Sequence, residues 1–404
     1  MDPVSALEYY HRLFPYDALV AWMTSQGHAL QSFEFAIEAQ DASGERYMKR
    51  FLSVRTAAEL REQAISHKGI LAIHFGGIFS GPVFSAAEPT ERIFSIDVDL
   101  TDYEYLDLHD EHGNVSAELC DKAYPVSAFA VAVLMYLLHC AFDFTNVLIV
   151  YSGRRGVHLH VMDPRAIAMD NEARAAVVDF IKQDRKLDTP ASINLHGLAD
   201  MYKLVPFAME AFERSWVGEM ELFDSATRVT NFVNMLDLTH HTLESLADDA
   251  SEVVANGAGG LDTSVAVWTL IKSRLCTPDL PKWYRQRMEN VVLTYVWPRI
   301  DENVSRKAGH LTKAPFCAHK GSRRVAVPIH RATYQRWDPK KAPSLDDFGK
   351  SAVATMEQAL LSMRPPQADL DDLATAATSA KRAFVPPPRP RWGKENKRKK
   401  RPLR

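Results

Sequence analysis

FSIDVDL, residues 94–100, alternates apolar and polar side chains with a period of two. This alternation predicts a β-strand with one buried face and one acidic face. Asp97 and Asp99 would then project from the same side of the strand, with Cα atoms about 6–7 Å apart. Carboxylates that close repel each other unless a cation lies between them, and Mg²⁺ or Mn²⁺ prefers such oxygen ligands. Read alone, the pair is better explained as two solvated residues on the outer face of an edge strand.

A second stretch, YSGRRGVHLHV (residues 151–161), directly follows a segment typical of a buried strand. It places Arg154, Arg155 and His158 in and after a turn bracketed by glycines. Guanidinium groups are well suited to phosphate oxygens, and glycine lets the backbone approach a ligand closely. An acidic metal site beside a basic phosphate site is what nucleotidyl transfer requires. The two arginines could alternatively bind a carboxylate of the protein itself.

The composition is that of an ordinary globular protein, with 46% hydrophobic and 25% charged residues among 404. No apolar run reaches the ~18 residues that cross a bilayer, and the first residues lack a signal-peptide pattern. Four scattered cysteines form no CxxC pair. We therefore expect an intracellular protein from a reducing compartment, with no membrane association.

Strand-like and helical segments alternate over residues 1–165 and return at 299–364, which predicts an α/β (α+β) core. RRVAVPI, residues 323–329, is the strand-like segment of that return. Residues 166–298 read as a mainly helical inserted subdomain. Residues 365–404 are rich in Ala, Pro and Lys/Arg and are predicted to be a disordered tail.

The tail also concentrates positive charge. Residues 389–404 contain nine basic residues and one acidic residue, for a charge of +8, whereas the whole chain carries −3 and the remainder therefore −11. KRKKR within it is typical of a nuclear-localisation signal or a nucleic-acid patch. A solvated basic end without a specific partner is the alternative.

Three stretches together carry a resemblance to a known family: DVD (97–99), YSGRRGVHLHV, and PRIDENVSRKAGHLTKAPFCAH (298–319). They resemble the small catalytic subunit of archaeal and eukaryotic DNA primases, and YYHRLFPY (9–16) favours the eukaryotic branch. The resemblance spans roughly residues 8 to 345. It implies a primase-type core of mixed sheets flanked by helices, interrupted by the helical segment.

The resemblance also implies roles for individual residues. Asp97, Asp99 and Asp301 would be catalytic and would bind two Mg²⁺ or Mn²⁺ ions. Nucleotide binding would fall to seven residues: Arg50, Ser152, Arg154, Arg155, His158, Lys313 and His319. Read alone, Asp301 could be a helix N-cap, Arg50 could pair with Glu45, and Lys313 and His319 could be surface residues.

The sequence departs from the family in three places. The family's cysteine-rich zinc site is reduced to Cys120, which could act with His109 and His112 and with Asp121 or water. A polar loop without metal is the alternative, and structural zinc is doubtful. Gln31-Ser32 stands where the family tends to have Arg-Glu. Glu34, two positions on, is not a ready substitute, so initiation could differ. His160 replaces a frequent aromatic residue, and we expect it at the edge of the site.

The expected function is that of a DNA-directed RNA polymerase, a primase that synthesises RNA primers on single-stranded DNA from ribonucleoside triphosphates. The expected partners are the primase large subunit and a DNA polymerase alpha complex, and the expected location is the nucleus. One alternative is a related repair or translesion polymerase. The other is a catalytically silent scaffold subunit, which the retained carboxylates argue against.

Overall fold

The computed structural model describes residues 5–85, 87–103, 106–182, 204–238, 245–257 and 259–363. Contacts within the chain group Met1–Arg364 into one compact unit and Pro365–Arg404 into a second. The second unit, with the predicted basic tail, lies outside the described residues. The inserted subdomain over 166–298 stays a prediction.

Two four-stranded sheets form the centre of the described chain, in the orders β2-β1-β3-β7 and β4-β6-β5-β8. The strands are β1 Phe33–Gln40, β2 Arg46–Leu52, β3 Ile70–Ile78, β4 Phe94–Asp99, β5 Val147–Tyr151, β6 Gly156–Val161, β7 Thr312–Lys313 and β8 Pro328–Ile329. The α+β class is confirmed. The pairing is more uniform than the expected mixed sheets, because every ladder between the described strands is antiparallel.

Fourteen α-helices accompany the sheets in the described residues. They are α1 Ala6–Glu8, α2 Tyr16–Met23, α3 Ala57–Ile65, α4 Ala117–Lys122, α5 Tyr124–Phe142, α6 Pro164–Ile167, α7 Asn171–Lys182, α8 Val205–Phe212, α9 Ala226–Met235, α10 Leu246–Asn256, α11 Gly260–Leu275, α12 Lys282–Val296, α13 Glu302–Arg306 and α14 Lys350–Ser362. Local sequence explains several of their starts. Thr56 and Ser116, for example, accept hydrogen bonds from the third residue of α3 and α4, which satisfies a free N–H at each helix start.

The two sheets meet in an aromatic contact. Trp22 of α2 packs against Phe75 of β3 at 5.9 Å between ring centroids and against His160 of β6 at 5.5 Å. His160 is fully buried, and its Nδ1 is 3.0 Å from Ser95 Oγ. The expectation that His160 lies at the edge of the site is therefore wrong. Its ring fills the core between the sheets, where an aromatic residue would also fit.

Among the described helices, only α5 is long and apolar enough to cross a membrane by length and composition. However, 61% of its most apolar window is buried inside the protein. The helix ends where Asp143 adopts a left-handed conformation with φ of 56°. Packing against the sheet and against α8 explains the apolar sequence of α5 without a bilayer.

The strand predicted over residues 323–329 is mostly absent. Only Pro328–Ile329 pairs with β5, as β8. Arg323 has a positive φ of 56°, and Val325 forms an isolated bridge with Ala318. The chain therefore reverses direction here, and the bridge between Ala318 and Val325 closes the loop that contains His319.

Candidate active site

The register of the second sheet brings the two motifs together. Asp97 of β4 lies opposite His158 of β6, and Asp99 lies opposite Gly156. A Cβ atom on Gly156 would come within 1.9 Å of the Val98 carbonyl oxygen, so this close pairing requires glycine. The acidic strand and the arginine turn thus lie at one edge of the sheet, where β4 ends and β6 begins.

Asp99 already contacts one of the predicted phosphate-binding arginines. Its Oδ2 accepts a hydrogen bond from Arg155 Nε at 2.8 Å, and its Oδ1 accepts one from the Thr101 N–H at 2.9 Å. The alternative that an arginine of the turn binds a protein carboxylate therefore holds for Arg155. Arg154 instead donates from Nη2 to the Val115 carbonyl at 2.7 Å.

The third predicted carboxylate reaches the same edge through the backbone. The Asp301 N–H donates to the Asp97 carbonyl oxygen at 3.0 Å, and Ser305 Oγ donates to the Ser95 carbonyl at 3.0 Å. Asp301 is also the N-cap of α13, because its Oδ1 accepts the Asn303 N–H at 2.9 Å. The capping reading and the proximity to the acidic strand are both correct.

Negative charge accumulates where these elements meet. Burial raises the pKa of Asp97, although a third of its side chain (33%) is exposed. His158, whose Nε2 lies 3.5 Å from Asp97 Oδ1, opposes that rise, while Asp99 and Asp301 add to it. Asp102 behaves similarly: burial and then the same three carboxylates raise its pKa. The sequence analysis missed Asp102, although it closes the acidic run DVDLTD.

These carboxylates suit a divalent cation by chemistry, because a bound cation would relieve the repulsion between carboxylates that adds to the effect of burial on the pKa values of Asp97 and Asp102. The carboxylate side chains are not arranged as a set of ligands around one point. Within the described parts of the chain, no three His, Cys, Asp or Glu side chains are grouped so that they could hold one ion. The Asp99 carboxylate is instead hydrogen-bonded to Arg155 and to the Thr101 N–H.

The arginine turn is built against the His319 loop. Gly153 has a φ of +92°, and a Cβ atom there would lie 2.7 Å from the Arg324 carbonyl oxygen. Ser152 Oγ accepts the Gly156 N–H at 3.1 Å, which closes the turn. Ser322 Oγ donates to the Gly153 carbonyl at 2.7 Å. Ser152 thus shapes the turn that presents the arginines.

His319 is held as a neutral ring. Its Nδ1 accepts the N–H groups of Gly321 and Ser322, both at 3.1 Å, which leaves Nε2–H as the donor. Burial, followed by the charges of Lys313, Arg154, Arg155 and Lys320, lowers its pKa to about 3. A neutral His319 cannot neutralise phosphate charge. In this environment, His319 can instead donate a hydrogen bond.

Lys313 lies opposite His74 in the first sheet and lines a cavity of about 190 Å³ with His319, Lys320 and Glu38. Burial lowers its pKa, whereas the carboxylates of Glu38 and Asp97 raise it. Lys313 and His319 are partly buried, so the surface reading is wrong for both. The structure brings both residues together with the arginine turn.

Arg50 pairs with Glu34, not with Glu45. Its Nε and Nη2 donate to the two carboxylate oxygens of Glu34 at 2.9 and 3.1 Å, and Nη2 also donates to the Gly309 carbonyl at 3.3 Å. Glu34 is 1% exposed and Arg50 36%. Gly309 lies between Asp301 and Lys313 in sequence, so Arg50 contacts the segment that carries both. Sequence reasoning did not predict this use of Glu34.

The three candidate zinc ligands are not brought together. His109 and His112 are exposed, whereas Cys120 is buried and burial raises its pKa to about 11. Asp121, the suggested fourth ligand, accepts two hydrogen bonds from Arg324 at 2.6 and 3.0 Å. This ion pair joins α4 to the segment that follows His319.

Comparisons with known proteins show which family the chain is similar to. The family model described as DNA primase small subunit matches residues 96–331. The chain is 26% identical to the DNA primase small subunit of Schizosaccharomyces pombe, over 86% of this chain and 77% of the relative. It is 28% identical to that of Drosophila melanogaster, over 83% and 78%. The archaeal DNA primase small subunit PriS of Halorubrum lacusprofundi is 26% identical over 54% and 55%. The chain belongs to the DNA primase small subunit family.

Proposed function

We propose that this chain is the catalytic subunit of a primase that polymerises ribonucleotides into short RNA primers on single-stranded DNA. One observation carries the proposal: Asp97, Asp99 and Asp301 share one edge of a sheet with the arginine turn. Names of relatives in eukaryotes and archaea support the same reaction.

The proposed chemistry is two-metal nucleotidyl transfer. Mg²⁺ or Mn²⁺ held by the three carboxylates would activate the 3′-hydroxyl and stabilise the departing pyrophosphate. Arg154, Arg155 and Lys313 would neutralise charge on the triphosphate. His319 would donate from Nε2–H, since its Nδ1 already accepts two backbone N–H groups. His158 beside Asp97 and Arg50 beside Gly309 complete the residues proposed to face the nucleotide.

The relatives also suggest the cellular setting. Eukaryotic primase small subunits match more of this chain than the archaeal ones do. We therefore infer a nuclear role in replication, together with a primase large subunit and a DNA polymerase alpha complex. A scaffold without activity has no need for the three carboxylates and the basic turn, so it is not favoured.

The test is synthesis without a primer. The purified chain is incubated with single-stranded DNA, ribonucleotides and Mg²⁺ or Mn²⁺, beside an Asp97→Ala/Asp99→Ala variant. Ribo-oligomers from the wild type alone support the proposal. Extension of a pre-annealed primer only, with deoxynucleotides preferred, would indicate a repair polymerase. If no product forms even with the large subunit present, the result would indicate a catalytically silent scaffold subunit.

A further inference from the structure

Arg92, two residues before β4, is a fully buried arginine that binds a distant segment. Its Nη1 donates to the carbonyl oxygens of Val304 at 2.6 Å and Lys307 at 2.7 Å. Its Nη2 donates to Thr312 Oγ1 at 2.5 Å. One guanidinium therefore makes three hydrogen bonds to residues more than 200 positions later in the chain.

All three acceptors lie between two residues of the proposed site. Val304 and Lys307 are at the C-terminal end of α13, whose N-cap is Asp301, and Thr312 directly precedes Lys313. The last carbonyls of a helix lack partners within the helix, so a donor there is needed. The segment 301–313 is thus fastened at its start by the hydrogen bond of Asp301 to Asp97 and at its end by Arg92.

The charge of Arg92 has no compensating carboxylate. Among the described residues, it forms no ion pair, and its Nε has no hydrogen-bond partner. Burial, and then the nearby Arg174, lowers its pKa to about 9. Burying a charge without a counter-ion costs free energy of folding, and a well-packed apolar side chain of similar volume often stabilises a fold more than a buried charged side chain does. The carbonyls that Arg92 binds are therefore the better explanation for its presence.

We propose that Arg92 is a positioning residue for the polymerisation reaction. Its guanidinium fixes the segment 301–313 against β4 and thereby sets where Asp301 and Lys313 stand relative to Asp97. This inference rests on the proposed roles of Asp301 in metal binding and of Lys313 in triphosphate binding.

Arg174 of α7 provides a matched control. It is also fully buried, and it donates to the carbonyls of Met169 at 2.9 Å, Ile167 at 3.1 Å and Arg92 at 2.6 Å. It carries the same kind of buried charge, bound to backbone oxygens. Its hydrogen bonds reach the backbone of Arg92 but not the segment 301–313, so its loss tests the burial of an arginine without removing a hydrogen bond to that segment.

The experiment compares Arg92→Lys with Arg174→Lys in the full chain. Five quantities are measured: the Tm, the kcat, the KM for ribonucleoside triphosphate, the metal concentration giving half-maximal activity, and hydrogen exchange of the amides in 301–313. For Arg92→Lys we expect faster exchange in that segment, both constants raised about tenfold, and kcat/KM about 100-fold lower, as small misplacements of reacting groups produce. Arg174→Lys should lower the Tm similarly but leave both constants within twofold.

The proposal is overturned if the two variants lose activity only in proportion to their folded fraction, or if exchange in 301–313 is unchanged in Arg92→Lys. Should Arg92→Lys not fold, Thr312→Val removes one acceptor at nearly constant shape. An unchanged KM in that variant then overturns the proposal. A wild-type chain that makes no primers would instead refute the proposed function, while hydrogen exchange still tests the anchoring by Arg92.

Discussion

The N–H of Asp301 donates a hydrogen bond to the carbonyl oxygen of Asp97 at 3.0 Å. This backbone bond joins the third carboxylate to the acidic strand across more than 200 residues of sequence. Because the bond does not use the Asp301 side chain, substitutions there leave the tether in place. The charge of the carboxylate can therefore be tested apart from the fold.

Asp301→Asn should separate the two roles of this side chain. Asparagine caps a helix as well as aspartate does, so the free energy of unfolding should change by less than about 0.5 kcal/mol. Primer synthesis should fall on the order of 10³-fold, because a metal-binding charge is lost. Asp301→Ala should lose the cap as well, at about 1 kcal/mol. Activity assays and thermal unfolding measure both effects.

Asp338 is the matched control, since its side chain caps the turn Pro339–Lys341 by accepting the Lys340 N–H. Asp338→Asn should be fully active. If Asp301→Asn also retains activity, Asp301 is only a helix cap.

Asp97→Asn should make the protein more stable and inactive. The pKa of Asp97 is raised in the folded chain, so at neutral pH its ionised form is less favourable there than in the unfolded chain. Removing the charge removes that penalty, and the Tm in metal-free buffer should rise. Protonation of Asp97 in the wild type removes the same charge. The difference in Tm between Asp97→Asn and the wild type should therefore shrink as the pH falls through the raised pKa of Asp97.

Metal addition supplies the second half of this test. Mg²⁺ or Mn²⁺ should raise the Tm of the wild type by binding the folded state, and Asp97→Asn should lose most of that increase. A variant that is less stable without metal, yet responds normally to it, would contradict the assignment of Asp97 to the metal site.

Local sequence could predict the strands of the site but not their partners. The alternation around Asp97 and Asp99 shows which residues share a face, because the side-chain period of a strand is two. The glycine-bracketed turn could likewise be read from YSGRRGVHLHV. That Asp97 lies opposite His158 depends on the register between strands, which no local pattern specifies.

Other features depend on long-range packing. Glu45 is the acidic residue nearest to Arg50 in sequence, but Arg50 pairs with Glu34. This pairing is accompanied by a register shift in β1 between Phe35 and Ile37 and by the left-handed backbone of Phe51. The neutral state of His319 follows from the backbone N–H groups of Gly321 and Ser322, which reach its Nδ1 only when the loop is folded. The buried Arg92 had no sequence signal, since its acceptors are backbone carbonyls and a threonine hydroxyl.

His319→Gln should change how stability depends on pH. The pKa of His319 is about 3 in the folded chain, below its ordinary value of about 6.5, so only the unfolded chain takes up this proton between those values. The wild type should therefore lose stability as the pH falls through that range, and the variant should lose less. Urea unfolding at several pH values measures the difference. His112→Gln, at an exposed loop position, is the control, and equal slopes in all three proteins would refute the neutral ring.

Arg50→Ala should destabilise the protein for a reason distinct from nucleotide binding. It leaves the carboxylate of Glu34, which is 1% exposed, without its cation, and such a loss costs about 3 kcal/mol. Arg50→Ala/Glu34→Gln removes the unpaired charge as well, so most of the stability should return. If Arg50 also contacts the incoming nucleotide, the raised KM of Arg50→Ala should persist in the double variant. Recovery of both stability and KM would instead mean that Arg50 serves only to neutralise Glu34.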